Sequence, residues 1–182
     1  MYIVVGLGNP KEEYARTRHN VGRMVEDYVD DSGKIKAKFL YLDTFMNKSG
    51  VGVAKFVKSL PANKAGKKEA EKLIVIYDDL DLPLGTLKVS YSRSSGGHRG
   101  VESIIRSLKT ENFIRLRIGI APTTPSGKIR KPKGEKAVLD FILGKFKASE
   151  EATLKKVFKT ATEAVEAIVS EGKDVAMNKF NS

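Results

Sequence analysis

The segment Val4-Val5-Gly6-Leu7-Gly8-Asn9-Pro10, VVGLGNP, sets how this chain begins its fold. The apolar run Ile3 to Val5 reads as a buried strand. It must stop at the glycines, which permit sharp turns, and at Pro10, which has no N–H for a ladder. Asn9 is therefore expected at the carboxyl end of the first strand, where ligands bind in open α/β sheets. Nine residues beyond Pro10 comes His19, in Thr17-Arg18-His19-Asn20, just ahead of a helical pattern. The chain has two histidines, and one of them beside the same strand end as Asn9 suggests a polar catalytic site. Gly-x-Gly after a strand can also open a dinucleotide site, but that fingerprint needs a third glycine where this chain has Lys11. A glycine turn with no ligand is the simpler account of these residues taken alone.

Strand and helix patterns alternate outward from this segment. Val21, Met24, Val25, Tyr28 and Val29 keep helical spacing, with Gly33 beyond the helix end. Ile35 to Leu42 reads as a strand. Val53, Phe56, Val57 and Leu60 mark a second helix, stopped by Pro61. Leu73 to Tyr77 is a continuous apolar run, hence a central strand, and Leu87 to Tyr91 another. Val101, Ile104, Ile105 and Leu108 mark a third helix. Ile114, Leu116, Ile118 and Ile120 alternate with Arg115, Arg117 and Gly119 in a period of two. Leu154, Val157, Phe158, Ala161, Val165, Ile168 and Val169 form one long amphipathic stripe, with Ser149 as N-cap and Gly172 as stop. The alternation implies an α/β fold: a single three-layer α/β/α domain over residues 1–182, with a twisted mixed, mostly parallel sheet.

At 182 residues and 41% apolar content, the chain can bury a full core. No apolar run approaches a membrane span and no secretory leader is evident, so a cytoplasmic protein is expected. The absence of cysteine excludes disulfides and thiolate chemistry. A net charge of +11, from 33 Lys and Arg against 22 Asp and Glu, favours a polyanionic partner such as nucleic acid, although lysine-rich surfaces also serve solubility. The basic clusters Lys64 to Lys72 and Lys128 to Lys136 read as solvated loops. With no Trp and no aromatic-rich basic strand, a base-stacking platform is not expected.

Three further segments can carry chemistry. Tyr77-Asp78-Asp79-Leu80-Asp81-Leu82-Pro83 follows a buried strand. Its acids could form a carboxylate metal cluster, or Asp78 could orient His19 as in a catalytic dyad; Asp79 and Asp81 read better as a polar turn. Thr44-Phe45-Met46-Asn47-Lys48-Ser49-Gly50 lies between a strand and a helix, where Asn47 could cap the helix and Phe45 and Met46 could be core. Ser94-Ser95-Gly96-Gly97-His98-Arg99-Gly100 is a glycine-rich loop before a helix, able to cradle a phosphate beside the charge of Arg99. His98 taken alone reads as structural.

Together these segments resemble one family, the bacterial-type peptidyl-tRNA hydrolases. The matching runs are VGLGNP (Val5 to Pro10), EYARTRHNVG (Glu13 to Gly22), TFMNKSG (Thr44 to Gly50), DDLDLPLG (Asp78 to Gly85), GGHRG (Gly96 to Gly100), FIRLRIGI (Phe113 to Ile120), FILGKF (Phe141 to Phe146) and AMNKFN (Ala176 to Asn181). They run in order through almost the whole chain. Two departures stand out. The stretch between Asn20 and Phe45 is shorter than is usual in the family, and Arg99 stands where the family usually has Asn.

The resemblance implies hydrolysis of the ester between a peptide and the terminal ribose of tRNA, without metal or cofactor. His19 would be the general base, Asp78 its orienting carboxylate, and Asn9 the residue that recognises the acylated amine. Asn47 would orient substrate or water. Tyr14, Phe45, Asn47 and Arg99 match substrate- or tRNA-binding positions. Lys88, Gly97, His98, Arg115 and Arg117 are weaker candidates for the tRNA backbone, and Arg115 with Arg117 reads nearly as well as a charged sheet face. The implied partner is peptidyl-tRNA, bound through its acceptor end and phosphates by a monomer, with no membrane. Two other classes fit parts of the pattern: a non-catalytic RNA-binding relative, against which Asn9, His19, Asn47 and Asp78 argue, and a metal-dependent phosphohydrolase built on Asp78, Asp79 and Asp81.

Overall fold

The computed structural model describes residues 1–59 and 69–181. Five strands form one sheet: β1 (Ile3–Gly6), β2 (Lys38–Phe39), β3 (Leu73–Pro83), β4 (Leu87–Tyr91) and β5 (Ile114–Ala121). Their order is β2-β1-β3-β5-β4, parallel throughout except for β4, which runs antiparallel to β5 at one edge. The helices are α1 (Val21–Asp31), α2 (Ser49–Ser59), α3 (Arg99–Leu108), α4 (Glu135–Leu143), α5 (Glu151–Glu171) and α6 (Lys173–Phe180).

Strand alternation divides the core in two. Val4, Ile74, Ile76, Leu116 and Ile118 meet Val21, Val25 and Val29 of α1 and the apolar stripe of α5. Ile3, Val5, Val75 and Tyr77 face the other way, onto Val53 and Val57 of α2 and Val101 and Ile104 of α3. Helices on both faces explain why the central strands read as continuous apolar runs. The contact that positions the site is a very close one between α1 and the strand ends. A Cβ on Gly6 would lie 2.3 Å from the Gly22 carbonyl oxygen, and one on Gly22 would lie 2.2 Å from that of Ile76. Only glycine at both positions lets the helix settle this deeply.

Several sequence expectations change. The strand expected over Ile35 to Leu42 shrinks to Lys38–Phe39. Backbone bonds to β1 continue as far as Leu40, whose N–H donates to the Val4 carbonyl at 2.8 Å, and beyond it the Leu42 carbonyl accepts from Arg23. The acids at 78, 79 and 81 lie inside β3, which pairs with β5 through Asp79 and again at Pro83 after a register shift. Strand β5 is buried on both faces, not one. The last long helix is preceded by a 3-10 turn, Ala148–Glu150, whose Glu150 carboxylate accepts the Lys147 N–H at 2.6 Å, so Ser149 is not the cap. Gly172 does end α5, at φ +96. Helices α4 and α6 were not read from the sequence; beyond α6, the Asn181 amide pairs with both backbone groups of Val89 on edge strand β4. Leu60, Pro61 and most of the Lys64 to Lys72 cluster lie outside the described residues.

Helix α1 also buries a carboxylic acid. Glu26 is fully enclosed, and among the described residues neither carboxyl oxygen has a well-formed hydrogen bond, the Gly6 amide lying near it without reaching that geometry. Burial pushes its pKa up to about 9 from an ordinary 4.5, against the pull of the Gly6 amide and Arg23. The native state therefore keeps a proton that the unfolded chain releases above its own lower pKa. The associated stability is complete below pH 4.5 and is lost as pH rises toward 9. Glu26→Gln should therefore stabilise the protein increasingly with pH, by on the order of 3 kcal/mol at pH 7 relative to pH 4. Denaturant unfolding at several pH values tests this, and a pH-independent difference would contradict it.

Candidate active site

The carboxyl ends of β1 and β3 and the N-terminal ends of α1 and α3 converge on one cleft of about 880 Å³. Beyond Gly6 the chain turns through Leu7 and Gly8 to Asn9. Asn20, one residue before α1, clamps the Asn9 backbone with its whole side-chain amide: Oδ1 accepts the Asn9 N–H at 2.8 Å, and Nδ2 donates to the Asn9 carbonyl at 2.9 Å. The Asn9 side chain accepts the Met46 N–H through Oδ1 at 2.8 Å. That bond fixes the amide's orientation and leaves Nδ2 as the spare donor on a cleft-lining residue.

His19 sits in the 3-10 turn Arg18–Asn20 and is buried. Its Nδ1 lies 2.9 and 3.0 Å from the two carboxylate oxygens of Asp78, so Nδ1–H donates, and Nε2 has no hydrogen-bond partner among the described residues. Asp78 also holds the second histidine. His98 caps α3 by accepting the Val101 N–H at Nδ1, 3.3 Å away, so its Nε2–H must be the donor to Asp78 Oδ1 at 2.9 Å. One buried carboxylate thus fixes the tautomers of both rings, whose centroids are 5.0 Å apart. Burial works against a charged His19, but the Asp78 carboxylate more than offsets it and holds the ring above its ordinary pKa, while Arg99 opposes this weakly. Burial alone would raise the Asp78 carboxyl; the two rings keep it well below the usual carboxylate range.

The other acids are taken separately. Asp79 accepts from Arg117 Nε at 2.7 Å, and Asp81 pairs with Lys131. No two of the three acids share a partner, Asp78 taking both histidines, so the carboxylate metal cluster loses its donor set. His19, Asp78 and His98 place ligand-type atoms within 4.8 Å of one another, but those atoms already face each other as hydrogen-bond donors and acceptors.

Most of the expected site residues gather here. Asn9, Tyr14, His19, Phe45, Asn47, Asp78, Gly97, His98, Arg99 and Arg117 all line the cleft. Phe45 is exposed, not core, and meets Tyr14 edge-on at 6.4 Å with the Lys11 ammonium 5.7 Å from its ring. The two rings come from distant parts of the chain and meet only in the fold. Met46 is core as read, and Asn47 is exposed in the 3-10 turn Met46–Lys48. Arg99 pairs with Glu135, while Glu102 pairs with Arg106. Arg115 is fully buried, against the Phe113 ring and the Ser94 carbonyl, so it cannot reach a tRNA backbone, nor is it part of a charged sheet face. Lys88 is exposed on β4 but lines a separate, smaller hollow. Lys131, Glu135 and Leu139 line the cleft too. Lys131 and Glu135 lie in a stretch read as a solvated loop; an apolar periodicity at Val138, Leu139 and Ile142 was the available signal for α4.

The pattern of the family described as Peptidyl-tRNA hydrolase matches residues 3–42 and 31–182. The chain belongs to the peptidyl-tRNA hydrolase family. The two matched segments overlap at residues 31–42. A peptidyl-tRNA hydrolase of Fervidobacterium nodosum is 42% identical over 99% of this chain and 96% of its own length. One of Thermodesulfovibrio yellowstonii is 38% identical over 100% and 99%. The crystal structure of the Acinetobacter baumannii peptidyl-tRNA hydrolase superposes with a TM-score of 0.83 at 28% identity, covering 100% of this chain and 95% of that one. The mostly parallel sheet between two helical layers is therefore the fold of peptidyl-tRNA hydrolases.

The pairing of His19 with Asp78 has a measurable consequence. Asp78→Asn removes the charge that raises the ring's pKa, so the acidic limb of the pH–rate profile should move to lower pH. The turnover lost should be less than the loss from removing His19. An acidic limb that stays in place would show that the titrating group is not His19 held by Asp78.

Proposed function

We propose that this protein hydrolyses the ester joining a peptide to the terminal ribose of tRNA, with His19 as general base. The observation that carries this reading is the His19 ring held by Asp78 through Nδ1, with Nε2 unpaired among the described residues, on a cleft wall shared with Asn9. His19 Nε2 takes a proton from water as the water oxygen attacks the ester carbonyl. Asp78 stabilises the resulting imidazolium and keeps its orientation. As the tetrahedral intermediate collapses, the C–O bond to the ribose breaks and the imidazolium returns the proton to the departing ribose oxygen. One water is consumed, and a peptide acid and a free tRNA leave. An ester is sufficiently activated for a base and hydrogen-bond donors to do this work.

Asn9 Nδ2 is the donor offered to the acylated amine end of the substrate. A site arranged for an amide disfavours a free, charged α-amino group, whose presence would leave buried polar groups mismatched. Unblocked aminoacyl-tRNA is thereby spared. Asn47 orients substrate or water, and Tyr14 with Phe45 offers aromatic surface to the unpaired acceptor end. Arg99 at the start of α3, with the Gly97 loop before it, contacts phosphate. Lys88 and Arg117 are secondary backbone contacts, and His98 serves through Asp78. We take the enzyme to act as a cytoplasmic monomer. No helix among the described residues is long and apolar enough to cross a membrane.

Incubation with N-acetylaminoacyl-tRNA beside unblocked aminoacyl-tRNA tests the reading. Free tRNA should appear from the blocked substrate alone. His19→Ala should lower turnover by ~10²–10⁴-fold while tRNA binding stays nearly intact, because the base acts chiefly in the transition state. Equal release from both substrates would remove Asn9's role, and an active His19→Ala would remove that of His19.

A further inference from the structure

Helix α4 lies along the cleft and is held very differently at its two ends. None of its residues is buried, and Val138, Leu139 and Ile142 face the cleft. At the C-terminal end, Arg18 is an anchor. Its guanidinium lies 4.6 Å from the Phe141 ring centroid and 5.3 Å from that of Phe146. It donates to the Lys145 carbonyl at 2.8 Å and pairs with Glu150 at 3.0 Å, with its side chain only 8% exposed. At the N-terminal end the fastening is by surface charge. Glu135, the first residue of α4, accepts from Arg99 Nη2 at 3.0 Å, with side chains 85% and 62% exposed. Just upstream, Lys131 pairs with Asp81 at the end of β3, also in solvent. Exposed pairs of this kind hold only weakly, because water screens both charges.

We propose that Glu135 is a binding-determining residue that occupies Arg99 in the free protein and is displaced from it by a tRNA phosphate, which frees the N-terminal end of α4 from the cleft mouth. The proposal rests on the reading of this cleft as a peptidyl-tRNA site. Its physical basis is that both pairs at this end respond to a polyanion in the same sense. Phosphates attract Arg99 and Lys131 and repel Glu135 and Asp81, so their approach weakens both fastenings together. A neutral ligand has no such leverage, and the Arg18 anchor, shielded and stacked, is left intact as the pivot. The release of α4 is thereby tied to the nucleic-acid half of the substrate.

The latch can be tested without turnover. The chain has no cysteine, so Lys109→Cys with Lys136→Cys places one spin label beyond α3 and one on the first turn of α4. In the free protein the inter-label distance distribution should be narrow. It should broaden and lengthen in Arg99→Asn and in Glu135→Gln, and again on addition of deacylated tRNA. Arg106→Gln breaks a comparable exposed pair elsewhere on α3 and should leave it unchanged. In binding assays, Glu135→Gln should tighten deacylated tRNA about two- to fivefold, the range an exposed pair allows, and should give no gain in an Arg99→Asn background. An equal gain in both backgrounds would reflect only the loss of a negative charge and would overturn the proposal. So would a distance distribution that ignores both latch variants. The distance measurement in the free protein involves no substrate, so the latch fails separately from the hydrolase reading, which falls if wild-type protein leaves the blocked aminoacyl-tRNA intact.

Discussion

The close crossing of α1 over the ends of β1 and β3 governs the architecture of the site. Gly6 and Gly22 face one another with no space for a Cβ on either. Because the helix sits so low, the turn before it brings Asn20 onto the Asn9 backbone and His19 onto Asp78. A side chain at Gly6 or Gly22 would have to lift the helix by an ångström or more, and hydrogen bonds of 2.8 to 3.0 Å would not survive that displacement. Packing and chemistry are coupled here through two residues that carry no functional group at all.

The cleft's charges follow a simple division. Asp78 is enclosed and faces two imidazoles, a setting that keeps it ionised despite burial. Asp79 and Asp81, further along the same strand, each take a separate cation. A cluster of acids that could have repelled a polyanion is instead neutralised pair by pair, while the net charge of +11 is left to attract it. The chain also tolerates a costly group away from the site: Glu26, buried with no well-formed hydrogen bond among the described residues, beside the close Gly6 contact.

Much of this was legible in one dimension. Central strands buried on both faces produce unbroken apolar runs, and Leu73 to Tyr77 was read on that basis. Asn9, His19 and Asp78 were legible because each lies just beside an element end fixed by local signals, glycines and Pro10 in one case and a completed apolar run in another. The readings that failed involve residues whose state depends on a distant partner. Arg115 alternates with apolar neighbours as a surface residue would, yet the Phe113 ring and the Ser94 loop enclose it. Asp79 looked like a turn residue because its partner, Arg117, lies on another strand.

By itself, the sequence determined the α/β alternation, the breakpoint of the first strand and the family to which the chain belongs, since these follow from residue order, hydrophobic period and backbone permission at glycine and proline. Only the tertiary structure decided that Asp78 serves two histidines, that Tyr14 and Phe45 share a surface, and that Arg99 is engaged by Glu135 and not by Glu102. The physical reason is range. Conformational preference acts over a few residues of chain, whereas a hydrogen bond or ion pair is set by separation in space, and these paired groups stand 20 to 59 residues apart.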